Sequence, residues 1–209
     1  MTDARRITRA LLRHYPEAGL ALHYKTPLQL LVAVILSAQC TDARVNEVTR
    51  TLFRKYKQAA DFAGADLATF EQEIRPTGFY RNKAKTVIKC CQQLVAAHQG
   101  KVPADAEALT QLAGVGHKTA NMVLGNAFGA QAIAVDTHVA RVSRRLGLAR
   151  EARAERIEQE LMAVIPRDRW TAFSNALILH GRETCTARKP RCCECCLYAE
   201  CGWPEKPDC

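Results

Sequence analysis

Three observations predict an all-α fold. Apolar residues recur at helical spacing along most of the chain. No alternating stretch of useful strand length interrupts them. Capping residues, prolines and glycines fall where periodic segments should start and stop. Thr26-Pro27 reads as an N-cap followed by an N1 proline. Leu28 to Leu36 is apolar all round, so it should be a central buried helix. Thr41 or Asp42 caps a helix carrying Val45, Val48, Leu52 and Tyr56 on one face. Asp66 starts another with Leu67, Phe70 and Ile74, stopped by Pro76. Asn82 to Ala97 is helical, with Gly100 just beyond. Asp105 opens a short helix ending in the hairpin Leu112-Ala113-Gly114-Val115-Gly116. A further helix runs from His117 to Phe128 and is stopped by Gly129. The stretch Ala130 to Val135 leads to Asp136, and Thr137 to Leu146 follows with Gly147 at C′. Glu151 to Ile165 and Arg167 to His180 are the last helices, separated by Pro166. No repeat or low-complexity segment is present.

The 209 residues suffice for one or two domains with a real core. Thirty Lys and Arg against 21 Asp and Glu give a net charge of +9, which favours a polyanionic partner. The excess is concentrated. Arg75 to Lys101 holds six basic residues and no acidic one, and Arg141 to Arg156 holds six arginines against two glutamates. Such stretches fit phosphate contacts, although a solvated helix face has the same signature. The opening MTDARRITRALLRHY carries no secretory signal. The longest apolar stretch, Leu30–Ala38, is about half the length needed to cross a bilayer. A cytoplasmic, nucleoid-associated protein with no membrane partner is expected.

In "LAGVGHKTANMVL" a small-residue hairpin runs straight into a helix whose first turn carries Lys118. The macrodipole disfavours a cation there. The glycines let a phosphate approach helix-terminal N–H groups that have no intrahelical acceptor. This helix-hairpin-helix predicts backbone contacts to DNA from Gly114, Val115, Gly116, His117 and Thr119. A plain turn using glycine for positive φ is the competing reading. Lys118, partly buried at a helix N-terminus, should favour its neutral, nucleophilic amine. Asp136 is expected to orient that amine, shuttle a proton or stabilise positive charge, and also to serve as an N-cap.

Ten cysteines in an intracellular chain argue against a disulfide framework. Seven lie within the last 25 residues. Cys185, Cys192, Cys195 and Cys201 have the spacing C-x6-C-x2-C-x5-C, which suits an iron–sulfur cluster or zinc equally well. Cys193 and Cys196 each adjoin one of these and are alternative ligands; Cys209, Cys40, Cys90 and Cys91 lie outside the pattern. Cys91 sits on an apolar helix face and should be core.

"LAGVGHKTAN" with "AIAVDTHVARV" closely resembles the endonuclease III branch of the helix-hairpin-helix-GPD DNA glycosylases. "LLVAVILSAQCTD", "TGFYRNKA" and "LILHGRETC" resemble further blocks of that family, so the likeness spans about residues 5 to 203. The resemblance implies two helical domains flanking a DNA-binding cleft. A helical barrel over residues 22–131 would contain the helix-hairpin-helix (about 106–125). Residues 1–21 with 132–209 would form a domain ending in a [4Fe-4S] loop, 185–201. It implies a monomeric base-excision enzyme that flips oxidised pyrimidines out of duplex DNA. Lys118 would displace the base through a Schiff base and then nick the abasic site by β-elimination, with Asp136 assisting. It also selects the [4Fe-4S] cluster over zinc at Cys185, Cys192, Cys195 and Cys201, with Arg188, Lys189 and Arg191 presented to phosphate. Gln39 would fill the vacated stack, Phe79 would wedge against the orphan base, and His138 would touch DNA or support a neighbour by hydrogen bonding. Ala113, His117, Cys40 and Phe79 depart from the residues usual in the family, which bears on hairpin rigidity and lesion preference. Two alternatives are a monofunctional glycosylase, which has no need of Lys118, and a non-catalytic helix-hairpin-helix binding module, which has no need of Lys118 with Asp136.

Overall fold

The computed structural model describes residues 3–209, and its regular elements are all helical. In chain order they are α1 (Ala4–His14), α2 (Pro27–Leu36), α3 (Asp42–Lys55), α4 (Ala59–Ala63), α5 (Leu67–Ile74), α6 (Tyr80–His98), α7 (Ala106–Thr110), α8 (His117–Ala127), α9 (Thr137–Arg145), α10 (Ala154–Val164) and α11 (Trp170–Glu183), with four short 3-10 turns. Among the described residues no helix is long and apolar enough to cross a membrane. The chain divides into two compact units, one made of Leu20–Gly129 and the other of Met1–Gly19 with Ala130–Cys209.

The Leu20–Gly129 unit is built on α2. Its Pro27 occupies the first turn, where the missing N–H costs nothing, and the Thr26 hydroxyl accepts from Gln29 N. Every α2 residue except Pro27 and Gln29 is buried. Helices α3, α6 and α8 pack against it. The far side of α6 is covered by α4 and α5. There Tyr56 stacks on Phe62 at 4.9 Å, and both meet Phe70 edge-on, a geometry that adds to the area each ring buries. Helix α4 and the α6 start at Tyr80 differ from the sequence expectation. The α6 boundary moves because Phe79 adopts a left-handed conformation and serves as N-cap without a capping side chain.

In the other unit α11 is central, packed against α1 and α9. Ile7, Val139, Phe173 and Leu177 are fully buried in its core, and so is Leu197 from the cysteine-rich loop. Burying one such side chain contributes about 1.5–3 kcal/mol, so Leu197 anchors that loop. The stretch before Asp136, residues 130–135, belongs to no helix or strand among the described residues. Its backbone is satisfied by α11 hydroxyls instead: Thr171 Oγ1 accepts from Ala132 N and Ser174 Oγ from Ala134 N, each at 3.1 Å.

Candidate functional site

The hairpin is set by its packing. Gly114 has φ 77°, and a Cβ there would lie 2.3 Å from Thr86 Cγ2. Glycine is therefore required twice, by conformation and by space. Gln93 holds the turn from below, accepting from Ala113 N at 2.7 Å and donating to Gln111 O at 3.2 Å. Val115 faces the core, so only its backbone is available to a ligand. Gly116 is different. Its φ is −88°, and a Cβ would meet nothing. It is the N-cap of α8 and, as a glycine, offers no capping side chain, so the helix start lies beside the hairpin without a cap of its own. The competing reading, glycine for positive φ, thus holds for Gly114 and not for Gly116.

Lys118 stands on that first turn and is exposed. The partial burial expected for it is absent, because the first turn of α8 is not covered and its burial begins only at Ala120. Thr119 is half-buried. His117 Nε2 lies 3.3 Å from Asn121 Nδ2, one turn on.

Asp136 caps α9. Its Oδ1 accepts from His138 N and Val139 N, both at 2.8 Å. Asp136 is half-buried, and its Oδ2 makes no hydrogen bond among the described residues. His138 Nδ1 lies 3.2 Å from Arg141 Nη2, and a Cβ on Gly181 would lie 2.9 Å from the His138 Cβ. Arg141 is turned inward, donating to Gly181 O at 2.7 Å and to Cys185 O at 3.0 Å. One turn on, Arg145 donates to Thr186 O at 2.8 Å, Ala187 O at 3.1 Å and Cys185 Sγ at 3.4 Å. These two arginines grip the cysteine-rich loop. For this pair the structure shows neither of the two readings open to a basic stretch, phosphate contact or solvated face, but carbonyl partners some forty residues away.

Gln39 and Phe79 both have left-handed backbones, φ 51° and 48°. Non-glycine residues rarely adopt this region, and it costs about 1 kcal/mol or more. Both side chains are exposed, Phe79 to 65%. Phe79 is therefore not folded onto the core. Gln39, Phe79, Asn82, Lys83, Thr86 and Gly114 share the lining of one cavity.

Cys185, Cys192, Cys195 and Cys201 line another cavity, with Arg145 and His180. Among the described residues no three His, Cys, Asp or Glu converge on a point that would hold a single metal ion. Zinc needs thiolates converging at about 2.3 Å from one centre. Four thiols spaced around a shared cavity fit a polynuclear iron–sulfur group better. Donors aim at two of the sulfurs, Arg145 at Cys185 and Leu197 N at Cys195 (3.4 Å each). Such N–H donors stabilise thiolate ligands. Burial, with the neighbouring thiols adding to it, pushes the Cys195 thiol up to about 12; a cationic centre would favour its thiolate. His180 closes the inner wall. It is 1% exposed, its Nε2 lies 3.5 Å from Cys195 Sγ and its Nδ1 lies 3.3 Å from Tyr15 Oη. Burial holds its pKa down at about 4.

Cys193 is joined to Cys209 by a disulfide. One disulfide therefore forms where the cysteine content argued against a disulfide framework, and it engages Cys193, one of the two alternative ligands. Cys196 stays free and half-buried, and Cys91 is core, as expected. Arg188 and Lys189 are exposed and make no hydrogen bond or ion pair among the described residues. Arg191 is engaged, bonding Glu183 O and pairing with Glu194 at 3.4 Å. Sequence reasoning did not find Lys83, Arg141, Arg145 or His180 as supports. For the arginines the available signal was their i, i+4 spacing on one helix face.

The family profile described as HhH-GPD superfamily base excision DNA repair protein matches residues 32–167. Endonuclease III of Synechocystis sp. is 50% identical over 192 residues, covering 91% of this chain and 88% of the relative. Endonuclease III of Escherichia coli is 41% identical over the full length of both chains. A solved structure described as a trapped endonuclease III–DNA covalent intermediate, an estranged-adenine complex, is 43% identical with a TM-score of 0.91, covering 97% of each chain. The hairpin, the helix start that bears Lys118 and the four-cysteine loop thus sit in a chain that belongs to the endonuclease III family of the HhH-GPD base excision DNA repair superfamily.

Proposed function

We propose that this chain is a bifunctional DNA glycosylase and abasic-site lyase that removes oxidised pyrimidines from duplex DNA, acting as a monomer on intracellular DNA. One observation carries the reading: an exposed lysine stands on an uncapped helix start beside a glycine hairpin, on the fold of a protein trapped covalently on DNA. The backbone of Gly114, Val115 and Gly116, together with the first turn of α8, holds a phosphate, a contact that positions DNA without reading sequence.

The Lys118 amine attacks C1′ of the damaged nucleoside, and the base leaves with the glycosidic electron pair and a proton. Opening of the sugar ring gives a protonated imine between Lys118 Nζ and C1′. Loss of a C2′ proton expels the 3′ phosphate and nicks the strand; water then releases the lysine. The free Oδ2 of Asp136 supplies the carboxylate that accepts a proton or stabilises the cationic sugar. Gln39 fills the space left by the extruded base, and Phe79 wedges against the orphan base. His138, Thr119 and His117 flank the phosphate track, and Arg188 and Lys189 add cationic contacts, with Arg191 bracing their loop.

Cys185, Cys192, Cys195 and Cys201 would hold a [4Fe-4S] cluster. The cluster would tie off the loop and keep its basic residues together; base release and strand cleavage need no redox step.

The test is borohydride trapping on a duplex with one abasic site, comparing wild type with Lys118→Gln. A covalent adduct in wild type that disappears in the variant is expected. An adduct that survives the substitution moves the nucleophile to another amine. Tight abasic-site binding with no adduct in wild type leaves a monofunctional glycosylase or a binding module.

A further inference from the structure

Lys83 is a buried cation that the mechanism above does not use. It lies on the first turn of α6, is 5% exposed and has no acidic neighbour in that turn. Among the described residues no carboxylate pairs with it. Burying an unpaired ammonium costs several kcal/mol, which a methionine of similar shape would not incur. The position is also unfavourable for charge, since it is a helix N-terminus. Burial accordingly depresses its pKa, although ammonium and amine alike can donate.

The compensating interaction is specific. Lys83 Nζ donates to Thr77 O at 2.7 Å. Thr77 is itself buried and bonds back to Ile74 O at 2.8 Å. The next two residues, Gly78 and Phe79, both have positive φ, 69° and 48°. Gly78 carries no penalty there, whereas Phe79 does. Burial of the ring does not offset that penalty, because the ring is 65% exposed. The left-handed turn is instead held at its two ends. Asn82 N and Lys83 N donate to Phe79 O, both at 3.1 Å, and the Lys83 amine secures Thr77 O just before the turn. The same side chain lines the cavity reached by Gln39, and the Cys40 thiol is close enough to influence its charge. The buried Lys83 therefore lines the one cavity that both left-handed residues share.

We infer that Lys83 is a positioning residue, locking the strained turn that presents Phe79 to the DNA stack through its bond to Thr77 O. This rests on the DNA-repair reading, and specifically on Phe79 as the wedge. Lys83 touches no reacting atom, so its loss should weaken productive binding while sparing the chemical step.

The experiment uses the full chain and a duplex carrying one abasic site opposite 2-aminopurine, whose fluorescence rises when it is unstacked. Lys83→Met should raise KM for strand cleavage about tenfold while leaving kcat within about twofold. The fluorescence rise at saturating protein should disappear, and Lys83→Arg, which keeps a donor, should restore part of it. In a Phe79→Ala background Lys83→Met should add nothing, since both act through one side chain. Unchanged KM and fluorescence in folded Lys83→Met overturn the inference, as do effects that simply add to those of Phe79→Ala. If Lys83→Met does not fold, Lys83→Leu, which likewise removes the donor, carries the same comparison. Wild-type protein that binds and unstacks the probe without cutting it would sink the lyase reading and leave the role of Lys83 readable.

Discussion

The hairpin at residues 112–116 and the loop at residues 185–201 have opposite constructions. In the hairpin the decisive atoms are backbone, and the geometry is preset by what is missing: no Cβ fits at Gly114, and Gly116 caps α8 without a side chain. In the loop the decisive atoms are side chains, and the geometry is imposed from outside. Arg141 and Arg145 hold its carbonyls, Leu197 plugs it into a core, and four thiols face one cavity. A steric device of the first kind keeps its shape without a ligand. A device of the second kind depends on what its sulfurs bind, since metal-binding energy becomes folding energy. The two should therefore fail differently.

The largest effect is expected at the loop. Cys195→Ser removes the thiol that is seated against His180 and receives Leu197 N. Iron content and visible cluster absorbance should fall to near background, and the melting temperature should drop in the same preparation. Retention of full iron would move the ligand to Cys196, the free neighbour. Gly114→Ala comes next and acts without any metal. The added Cβ meets Thr86 at 2.3 Å in a left-handed backbone, so destabilisation of about 2–4 kcal/mol is expected in denaturant melts. Iron content should stay normal in whatever fraction folds. Loss of iron there would show that the two regions are not independent.

Asp136 separates capping from chemistry. Asp136→Ala loses both bonds from Oδ1 and should cost about 1 kcal/mol of stability. Asp136→Asn keeps a capping oxygen, so its stability should change by only a few tenths of a kcal/mol. Both variants should slow base release by about 10²–10⁴-fold if the carboxylate is the operative group. Single-turnover rates set beside melting curves check this. An Asn variant with wild-type rates would reduce Asp136 to a cap.

Local determinants made much of this legible in sequence. Thr26-Pro27, Asp66, Asp136 and Gly147 mark helix ends through bonds or conformations that reach no further than a few residues. The hairpin was legible for the same reason. The role of Arg141 and Arg145 was not legible, because a count of charges cannot distinguish a solvent-facing guanidinium from one bonded to carbonyls forty residues on. The pairing of Cys193 with Cys209 spans sixteen residues of irregular chain, and spacing carries no information about it. Lys83 looked like one cation in a basic run. Its burial follows from how α6 meets the turn before it, which periodicity alone does not reveal.

The smallest effect sharpens the comparison most, because it sets two glycines of one motif against each other. At Gly116 the backbone is extended, which any residue adopts, and a Cβ would enter open space. Gly116→Ala should therefore leave stability within about 0.5 kcal/mol of wild type. The new methyl group would nonetheless stand over the first amides of α8, where a phosphate must approach closely. Duplex affinity should fall by about tenfold, equivalent to one hydrogen bond to a charged group, with undamaged and abasic DNA affected alike because the contact reads no sequence. Titrations of both duplexes against the wild type and Gly116→Ala decide it. A variant that melts and binds like wild type would mean that the hairpin amides do not hold DNA. Lys118 would then need another explanation for its place on an unfavourable helix end.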